Sequence, residues 1–218
     1  MRRKFTRNEF VTHELQKIIV EELSQAPFGM EVLKSALADY SQPVHKAWDL
    51  VEKGILLRLK RGMFCVSPQY ANSPVDLGKI ANMLYSPSYV SFETMLARYG
   101  LIPERVSETI SAVTERGRTY VNGLGRFSYR KVSRNVFSVG VRSEGGVLMA
   151  CPEKALCDFL DSRPNLRISS PKALRSYLEE DVRFDFDAFG RPDCGVFSAY
   201  LTAGRKPGLY SALERMFA

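Results

Sequence analysis

The chain has few of the side chains that most catalytic and metal sites use. Only two of its 218 residues are histidines, His13 and His45. Because histidine is the commonest general acid–base and a frequent zinc ligand, a histidine-based catalytic or zinc site is hard to assemble here. The sequence also contains neither a Walker nor a Rossmann glycine loop for binding phosphate. We therefore expect a protein that is not an enzyme and needs no cofactor.

Paired cysteines and long apolar runs are also missing. The four cysteines form no Cys-x-x-Cys pair, and each has apolar or small neighbours, which favours reduced thiols in a reducing compartment. No apolar signal-peptide core follows the basic N-terminus, and no run approaches the roughly 18 apolar residues that a membrane span requires. These absences predict a cytoplasmic protein without a membrane partner.

Positive charge, in contrast, is in excess. The formal net charge is +7 and the isoelectric point is about 9.3, which favours a polyanionic partner. Many soluble proteins are mildly basic without a specific reason, so charge alone does not establish nucleic-acid binding. A length of 218 residues with 45% hydrophobic residues permits one large folded domain or two small ones.

Residues 28–67 carry the most informative pattern, a helix followed by a basic hairpin. We expect Ser41 to cap a helix with Pro43 in its first turn and Gly54 after its end. Residues 55–66 predict two short strands around a turn that contains Gly62. The buried stripe of the helix is predicted to be Val44, Ala47, Trp48 and Val51, and its polar face Gln42, His45, Lys46, Asp49 and Lys53.

Two more helices precede the helix that contains Pro43. A capping box at Thr6–Glu9 opens the first, which runs towards Pro27, and a short second helix covers residues 32–37. Three helices and a hairpin predict a winged helix-turn-helix over residues 1–70, a module that usually binds duplex DNA. The turn-rich stretch 67–74 is the expected domain boundary.

The polar face of the third helix supplies the candidate base contacts. Gln42 can pair with adenine, and Lys46 can donate to guanine, with His45 between them. Asp49 would repel phosphate, so we expect it to point away from the DNA backbone. The alternative is an ordinary solvated helix face.

The hairpin supplies the candidate phosphate contacts, Arg58, Lys60 and Arg61. Strand alternation places Arg58 and Lys60 on one face, and Arg61 lies at the turn, where a close approach to the DNA backbone or minor groove is possible. The alternative is a surface hairpin that its charge keeps soluble. The terminal Arg2, Arg3 and Lys4 are either a flexible arm on DNA or an ordinary disordered terminus.

Residues 73–218 predict a second, α+β domain. Strand patterns at 109–113, 119–121, 127–132, 136–141 and 147–150, several separated by glycine turns, predict an antiparallel sheet. Helical patterns flank them, at 73–84 and 92–98 before the strands and at 152–160, 171–178, 194–203 and 207–217 after them. The fold class expected for the whole chain is thus α+β.

Two charged clusters lie in this second domain. A basic set could contact flanking DNA, RNA or an acidic partner, or could form a solvated sheet face; it comprises Arg116, Arg118, Arg126, Arg130, Lys131 and Arg134. The acidic residues between Glu179 and Asp193 would suit a two-metal nuclease only if they converged. They lie in a polar stretch without a recognisable motif, so we do not expect catalysis there.

Three motifs, in this order, resemble those of one known family, the AbiEi antitoxins of type IV toxin–antitoxin systems. The first is the Arg61–Phe64 turn, the second Ser86–Leu96 with Tyr99–Glu104, and the third Ala150–Asp158, which contains Pro-Glu-Lys-Ala-Leu. The likeness spans roughly residues 5–215. Phe64 stands where the family commonly has tyrosine, and Glu93-Thr94-Met95 replaces its usual small pair.

The resemblance implies a repressor that binds inverted repeats upstream of its own operon and counters a nucleotidyltransferase-like toxin encoded beside it. It implies that the first domain binds DNA and that residues 73–218 carry the antitoxin activity, without a required stable complex with the toxin. Paired half-sites would bring two copies, monomers or weak dimers in solution, onto one operator. The alternatives are a stand-alone winged-helix regulator with a ligand- or partner-sensing second domain, a protein-binding module, and a nuclease.

Overall fold

A computed structural model describes Leu23, residues 26–203 and residues 205–218. The predicted capping box, His13 and the basic terminal arm lie outside the described residues, as does the predicted first helix except for Leu23. The described chain contains both helices and two β-sheets, which confirms the α+β fold class. None of the described helices is long and apolar enough to cross a membrane.

The chain divides into two compact units. The first comprises the described residues up to Ile80 together with Tyr120–Leu124, and the second comprises Ala81–Thr119 and the described part of Gly125–Ala218. Residues 120–124 group with the first unit, although the sequence prediction assigns them to the second domain.

In its described residues, the first unit contains two complete helices and a three-stranded sheet. The helices are α1 (Met30–Ala36) and α2 (Pro43–Glu52), and the strands β1 (Phe28–Gly29), β2 (Leu56–Lys60) and β3 (Met63–Val66) are in the order β1-β3-β2. Both pairings are antiparallel. The described core consists of Phe28, Leu33, Leu37, Ala47, Leu50, Ile55, Leu56, Phe64 and Val66.

The ends of α2 differ in how well the sequence predicts them. Gly54 follows the helix with a φ of +69°, a left-handed conformation that glycine adopts without strain, so the predicted stop is confirmed. The predicted Ser41 cap is wrong, because Gln42 occupies the N-cap position and makes no capping hydrogen bond with its side chain. Pro43 at the first helical position removes one N–H that would need a cap.

The second unit contains most of a six-stranded sheet. Its strands are β4 (Tyr89–Val90), β5 (Glu108–Val113), β6 (Arg118–Asn122), β7 (Gly125–Lys131), β8 (Val141–Glu144) and β9 (Val147–Ala150), in the order β6-β7-β5-β4-β9-β8. The predicted antiparallel sheet is wrong, because β5 pairs with β7 and β4 with β9 in parallel. Patterns of alternation and glycine turns predict that strands exist, but they do not determine which strands become neighbours.

The predicted strand at 136–141 is also wrong. Residues Arg134–Val136 form a 3-10 turn, and Gly140 has a φ of +66°, which a regular strand does not accommodate. Strand β8 begins only at Val141 and pairs antiparallel with β9. The valine-rich composition predicted a strand, but the left-handed glycine places a turn there instead.

Helices cover most of the remaining chain of the second unit. They are α3 (Leu77–Leu84), which begins in the first unit, α4 (Phe92–Arg98), α5 (Pro152–Asp161), α6 (Pro171–Ser176), α7 (Phe186–Phe189), α8 (Cys194–Ala203) and α9 (Pro207–Phe217). A π-helical turn at Tyr177–Asp181 continues α6. The predicted helices at 92–98, 194–203 and 207–217 are confirmed. Helix α3 starts later than predicted, because Asp76 rather than Ser73 accepts hydrogen bonds from Gly78 and Lys79.

Candidate nucleic-acid interface

The side of helix α2 that is exposed to solvent differs from the predicted one. Ala47 and Leu50 are its buried residues, whereas Val44 and Trp48, which were predicted to be buried, are 42% and 38% exposed. The prediction of the buried stripe was therefore wrong at these two positions. Gln42 and His45 are exposed as expected, so the outer surface of the helix combines polar and apolar side chains.

Lys46 and Asp49 form an ion-pair cluster with Lys53. Lys46 Nζ lies 3.3 Å and Lys53 Nζ 3.0 Å from Asp49 Oδ2. Hydrogen bonds from Lys53 and Lys46 hold the pKa of the Asp49 carboxyl below its ordinary value. Lys46 also lies 5.5 Å from the ring centre of Tyr40, and its side chain is only 19% exposed. Its charge is thus largely balanced within the unit.

The hairpin packs on α2 through Trp48. The Trp48 ring meets Phe64 of β3 edge to face at 5.8 Å, and the guanidinium carbon of Arg58 on β2 lies 5.4 Å from its ring centre. Such a cation–π contact is worth roughly 0.5–1 kcal/mol at an exposed site. Trp48, which the sequence prediction assigned to the core, therefore connects the exposed face of the helix to the exposed arginine of the hairpin.

The hairpin turn brings one uncompensated charge to the surface. Gly62 has a φ of +75°, and its neighbour Arg61 is exposed and forms no ion pair with a described residue. Lys60 is half-buried, and the strand register shifts between Arg58 and Lys60. This irregularity interrupts the alternation that was expected to place Arg58 and Lys60 on one face.

The exposed residues at the start of α2 line a shallow groove of about 430 Å³, formed by Gln42, Pro43, Val44, His45 and Trp48. Polar, apolar and aromatic side chains in one groove are a composition suited to base edges, which offer hydrogen-bonding groups and the thymine methyl group. This surface and the hairpin arginines form one continuous candidate interface within the first unit, because Arg58 contacts Trp48.

The second predicted basic set is largely engaged with acidic or aromatic partners. Arg126 pairs with Glu108 at 3.1 Å, Arg130 with Glu93 at 2.7 Å and Arg134 with Glu115 at 2.5 Å. Arg118 lies over the ring of Tyr85 at 5.3 Å. Three of the six cations are therefore ion-paired, and a fourth is engaged by an aromatic ring.

Two members of that set remain uncompensated. Arg116 and Lys131 are exposed and form no ion pair with a described residue. They are not on the same strand, since Lys131 ends β7 and Arg116 precedes β6. With three of the six cations in ion pairs and Arg118 over an aromatic ring, we do not propose a broad polyanion-binding face on this sheet.

The acidic residues between Glu179 and Asp193 have local structural roles. Asp185 accepts a hydrogen bond from Ala188 N at 2.8 Å and so caps α7, and Asp193 accepts from Gly195 N at 2.9 Å. Glu179 pairs with Arg175 at 2.9 Å, one helical turn away. Among the described residues no group of three or more His, Cys, Asp or Glu side chains is placed to hold a metal ion.

Sequence reasoning missed a buried polar network on α5. Lys154 and Asp158 lie one turn apart with their side chains fully buried, and the Lys154 Nζ is 3.9 Å from the Asp158 Oδ1. Lys154 donates hydrogen bonds to the Val136 carbonyl at 2.7 Å and to the Tyr200 hydroxyl at 3.0 Å. A lysine near the start of a helix is normally expected at the surface, so the sequence does not indicate that Lys154 is buried in this network.

Hydroxyl groups satisfy the carboxylate of this network. Asp158 accepts hydrogen bonds from Ser91 at 2.7 Å, Tyr200 at 2.5 Å and Tyr89 at 3.0 Å. Burial raises the pKa of Asp158 and lowers that of Lys154. The network joins β4, α4, α5 and α8, and its full satisfaction indicates a structural centre for the second unit.

Comparison with known proteins adds no relative to these observations: no protein-family model and no curated protein matches this chain.

Proposed function

We propose that the protein is a DNA-binding autorepressor and an antitoxin of the AbiEi type, with a winged helix-turn-helix at its N-terminal end. The observation that carries the DNA-binding part is the exposed start of α2 beside the hairpin arginines. A helix end with polar and apolar side chains fits the major groove, and a basic hairpin beside it fits the neighbouring phosphates.

Within this proposal, the exposed side chains have distinct roles. Gln42 and His45 supply hydrogen-bonding groups for base edges, and Val44 supplies an apolar contact for a thymine methyl group. Arg61 contacts a phosphate from the hairpin turn. Lys46 is a weaker candidate than the sequence suggested, because Asp49 and Tyr40 already engage its ammonium group.

The antitoxin part depends on the family resemblance and concerns the second unit. Its motif residues Lys154 and Asp158 are fully buried, so their contribution is to hold the fold together rather than to contact a partner. We expect the toxin to be a nucleotidyltransferase-like protein encoded next to this chain, countered without a required stable complex.

We expect the Arg61→Ala substitution to weaken binding to a duplex that carries the chain's own promoter. The slope of log affinity against log salt concentration is negative, and loss of one phosphate contact makes it less steep by about 0.9. The measurement is an electrophoretic shift or fluorescence anisotropy titration at several salt concentrations. Arg61 is exposed and forms no ion pair with a described residue, so the fold is not expected to change.

The matched control is Arg191→Ala, which removes an exposed arginine of the second unit that forms no ion pair with a described residue. It is expected to leave both the affinity and the salt slope unchanged. Equal effects of the two substitutions, or an unchanged slope in Arg61→Ala, would show that the hairpin does not contact phosphate.

We also expect co-expression of this chain to restore growth to cells that express the adjacent nucleotidyltransferase-like gene. The Arg61→Ala variant, expressed from an unrelated promoter, is expected to restore growth equally well, because antitoxin activity is assigned to the second unit. Growth curves and a promoter–reporter fusion measure the two activities separately. Failure of the wild-type chain to relieve toxicity would refute the antitoxin assignment while leaving DNA binding testable.

A further inference from the structure

The second unit contains a cleft that the proposed function does not use. Its volume is about 830 Å³, and its walls come from the end of β7, the segment 162–169 and the start of α9. Ligand pockets for small molecules typically measure roughly 300–1,000 Å³, so the cleft is large enough for a nucleotide-sized molecule.

Positive charge dominates the lining. Five cations line the cleft, Arg130, Lys131, Arg167, Arg205 and Lys206, against two carboxylates, Asp158 and Asp161. Three of the cations, Lys131, Arg167 and Arg205, are exposed and form no side-chain hydrogen bond or ion pair with a described residue. Like charges that converge without a counter-ion are unfavourable, and a bound anion would relieve this repulsion.

The other two cations are fixed by the protein. Arg130 pairs with Glu93 at 2.7 Å and lies over the Phe92 ring at 5.1 Å. Lys206 Nζ donates to the Leu160 carbonyl at 2.9 Å and also to the Arg163 carbonyl, both at the C-terminal end of α5. These bonds position the two ends of the cleft and leave the three unpaired cations available for a ligand.

Both carboxylates are also committed to the protein. Asp158 accepts three hydroxyl hydrogen bonds in the buried network, and Asp161 accepts one from the Tyr210 hydroxyl at 3.2 Å. Among the described residues, neither carboxylate forms an ion pair with Lys131, Arg167 or Arg205.

The start of α9 offers one backbone donor to the same cleft, the Gly208 N–H, because Pro207 has no N–H and the N–H groups of Leu209 and Tyr210 donate to the Lys206 carbonyl. Pro207 is its first residue, the N-cap Lys206 makes no capping hydrogen bond with its side chain, and Gly208 lines the cleft. The first turn of an 11-residue helix carries partial positive charge, and an uncapped one is suited to a phosphate group. The space that a Gly208 side chain would occupy is taken by Ser169, whose Cβ would lie 3.3 Å from a Cβ at this position.

Phe92 gives a separate indication of function. It lines the cleft, is 1% exposed and has a φ of +55°, a left-handed conformation that is unusual for a bulky residue. Such a conformation costs of order 1–3 kcal/mol, and strained residues of this kind cluster at active sites, ligand clamps and switch regions. Here it places the ring under Arg130 while the preceding Ser91 donates to Asp158.

We propose that this cleft binds a nucleoside diphosphate or triphosphate. Lys131, Arg167, Arg205 and the start of α9 receive the phosphates, and the apolar part of the wall receives the nucleoside. That part consists of Val132, Leu166, Ile168 and Leu209. Its presence favours a nucleotide over inorganic phosphate, which would leave the apolar wall empty. The inference does not rest on the DNA-binding or antitoxin proposal.

Isothermal titration of the full chain at physiological salt tests this proposal, with ATP, GTP, CTP, UTP and inorganic triphosphate as separate probes. At least one nucleotide is expected to bind with one-to-one stoichiometry, about tenfold more tightly than inorganic triphosphate. The double substitution Arg167→Ser/Arg205→Ser removes two charge-assisted contacts and is expected to lower that affinity by about tenfold or more. Both side chains are exposed and form no hydrogen bond or ion pair with the part of the chain that the structure describes, so the melting temperature should not change.

The single substitution Arg191→Ser is the control for general loss of charge, since Arg191 does not line the cleft. It is expected to leave the affinity unchanged. The proposal is overturned if no nucleotide binds, if inorganic triphosphate binds as tightly as every nucleotide, or if the double variant binds as well as the wild type. An effect of Arg191→Ser as large as that of the double variant would overturn it too. None of these outcomes affects the promoter-binding assay, which uses a different unit and a different probe.

Discussion

Replacement of Asp158 by alanine is expected to lower the free energy of unfolding by about 3–5 kcal/mol, the usual cost of removing one partner of a buried ion pair. The Lys154 ammonium group, whose side chain is fully buried, would then lack its carboxylate. The hydroxyls of Ser91, Tyr89 and Tyr200 would also lose their common acceptor.

The Asp158→Asn substitution removes the ionisable group but keeps a side chain of the same shape, so it tests the contribution of the charge to stability. Burial raises the pKa of Asp158 above 3.8, so the folded chain binds more protons than the unfolded chain between pH 3.8 and the folded pKa. The stabilisation that comes from protonating Asp158 in the folded chain is fully present below pH 3.8 and is lost as the pH rises through the folded pKa. The asparagine variant cannot titrate at this position, so its stability relative to the wild type should increase as the pH rises through that window.

Urea unfolding, followed by circular dichroism at several pH values, measures both effects. Asp187→Asn is the control, because Asp187 is exposed and makes no ion pair with a described residue; its effect should stay within about 0.5 kcal/mol. Adding Lys154→Met to Asp158→Asn removes the unpaired ammonium and should restore part of the stability, with a coupling of about 0.5–3 kcal/mol. A loss below about 1 kcal/mol in Asp158→Ala would contradict the buried-pair interpretation.

Local sequence signals predicted the helices of the second unit well. Start and stop signals of helices act over about one turn of chain. Pro207 is a start signal at the first position of α9. Gly100, with a φ of +71°, is a stop signal after the helix Phe92–Arg98. The burial of individual helix residues was less predictable. In α2 both Val44 and Leu50 are apolar, yet only Leu50 is buried, because the position of the sheet determines which face of the helix is covered.

Strand pairing and the polar core could not be predicted from local patterns. The two-residue strand Tyr89–Val90 is too short to give a periodic signal, yet it lies between β5 and β9 and makes the sheet mixed. Lys154 and Asp158 match the polar positions of an amphipathic helix, and only the contacts with β4, α4 and α8 show that both are buried. Long-range packing, which a single sequence does not contain, decides both.

The candidate sites, too, could be predicted only where their residues are close together in the sequence. The hairpin turn at Arg61-Gly62 was predicted because its residues are adjacent in the chain. The contact between Trp48 and Arg58 was not, since it joins a helix to a strand whose packing the sequence leaves open. The cleft draws Lys131, Arg167 and Arg205 from three distant segments, so no motif could have indicated it.

Replacement of Gly140 by alanine is expected to destabilise the protein by about 2–5 kcal/mol. Its φ of +66° costs a residue with a Cβ about 1–2 kcal/mol. A Cβ at this position would lie 2.8 Å from Cys151 Sγ and 3.1 Å from Lys154 Cβ, and overpacking of this kind costs typically about 1–3 kcal/mol. Cys151 cannot move away freely, because its N–H donates to the Gly140 carbonyl at 2.8 Å and its Sγ caps α5.

Gly145→Ala separates the two costs. Gly145 has a similar φ of +57°, but a Cβ there would meet nothing within 4 Å, so only the backbone cost of about 1–2 kcal/mol applies. Urea unfolding of the two variants measures the difference, which is the steric cost of filling the space beside Lys154. Equal destabilisation in both variants would mean that Gly140 is required for its backbone conformation alone. A larger loss in Gly140→Ala would show that the glycine also makes room for the start of α5 and its buried lysine.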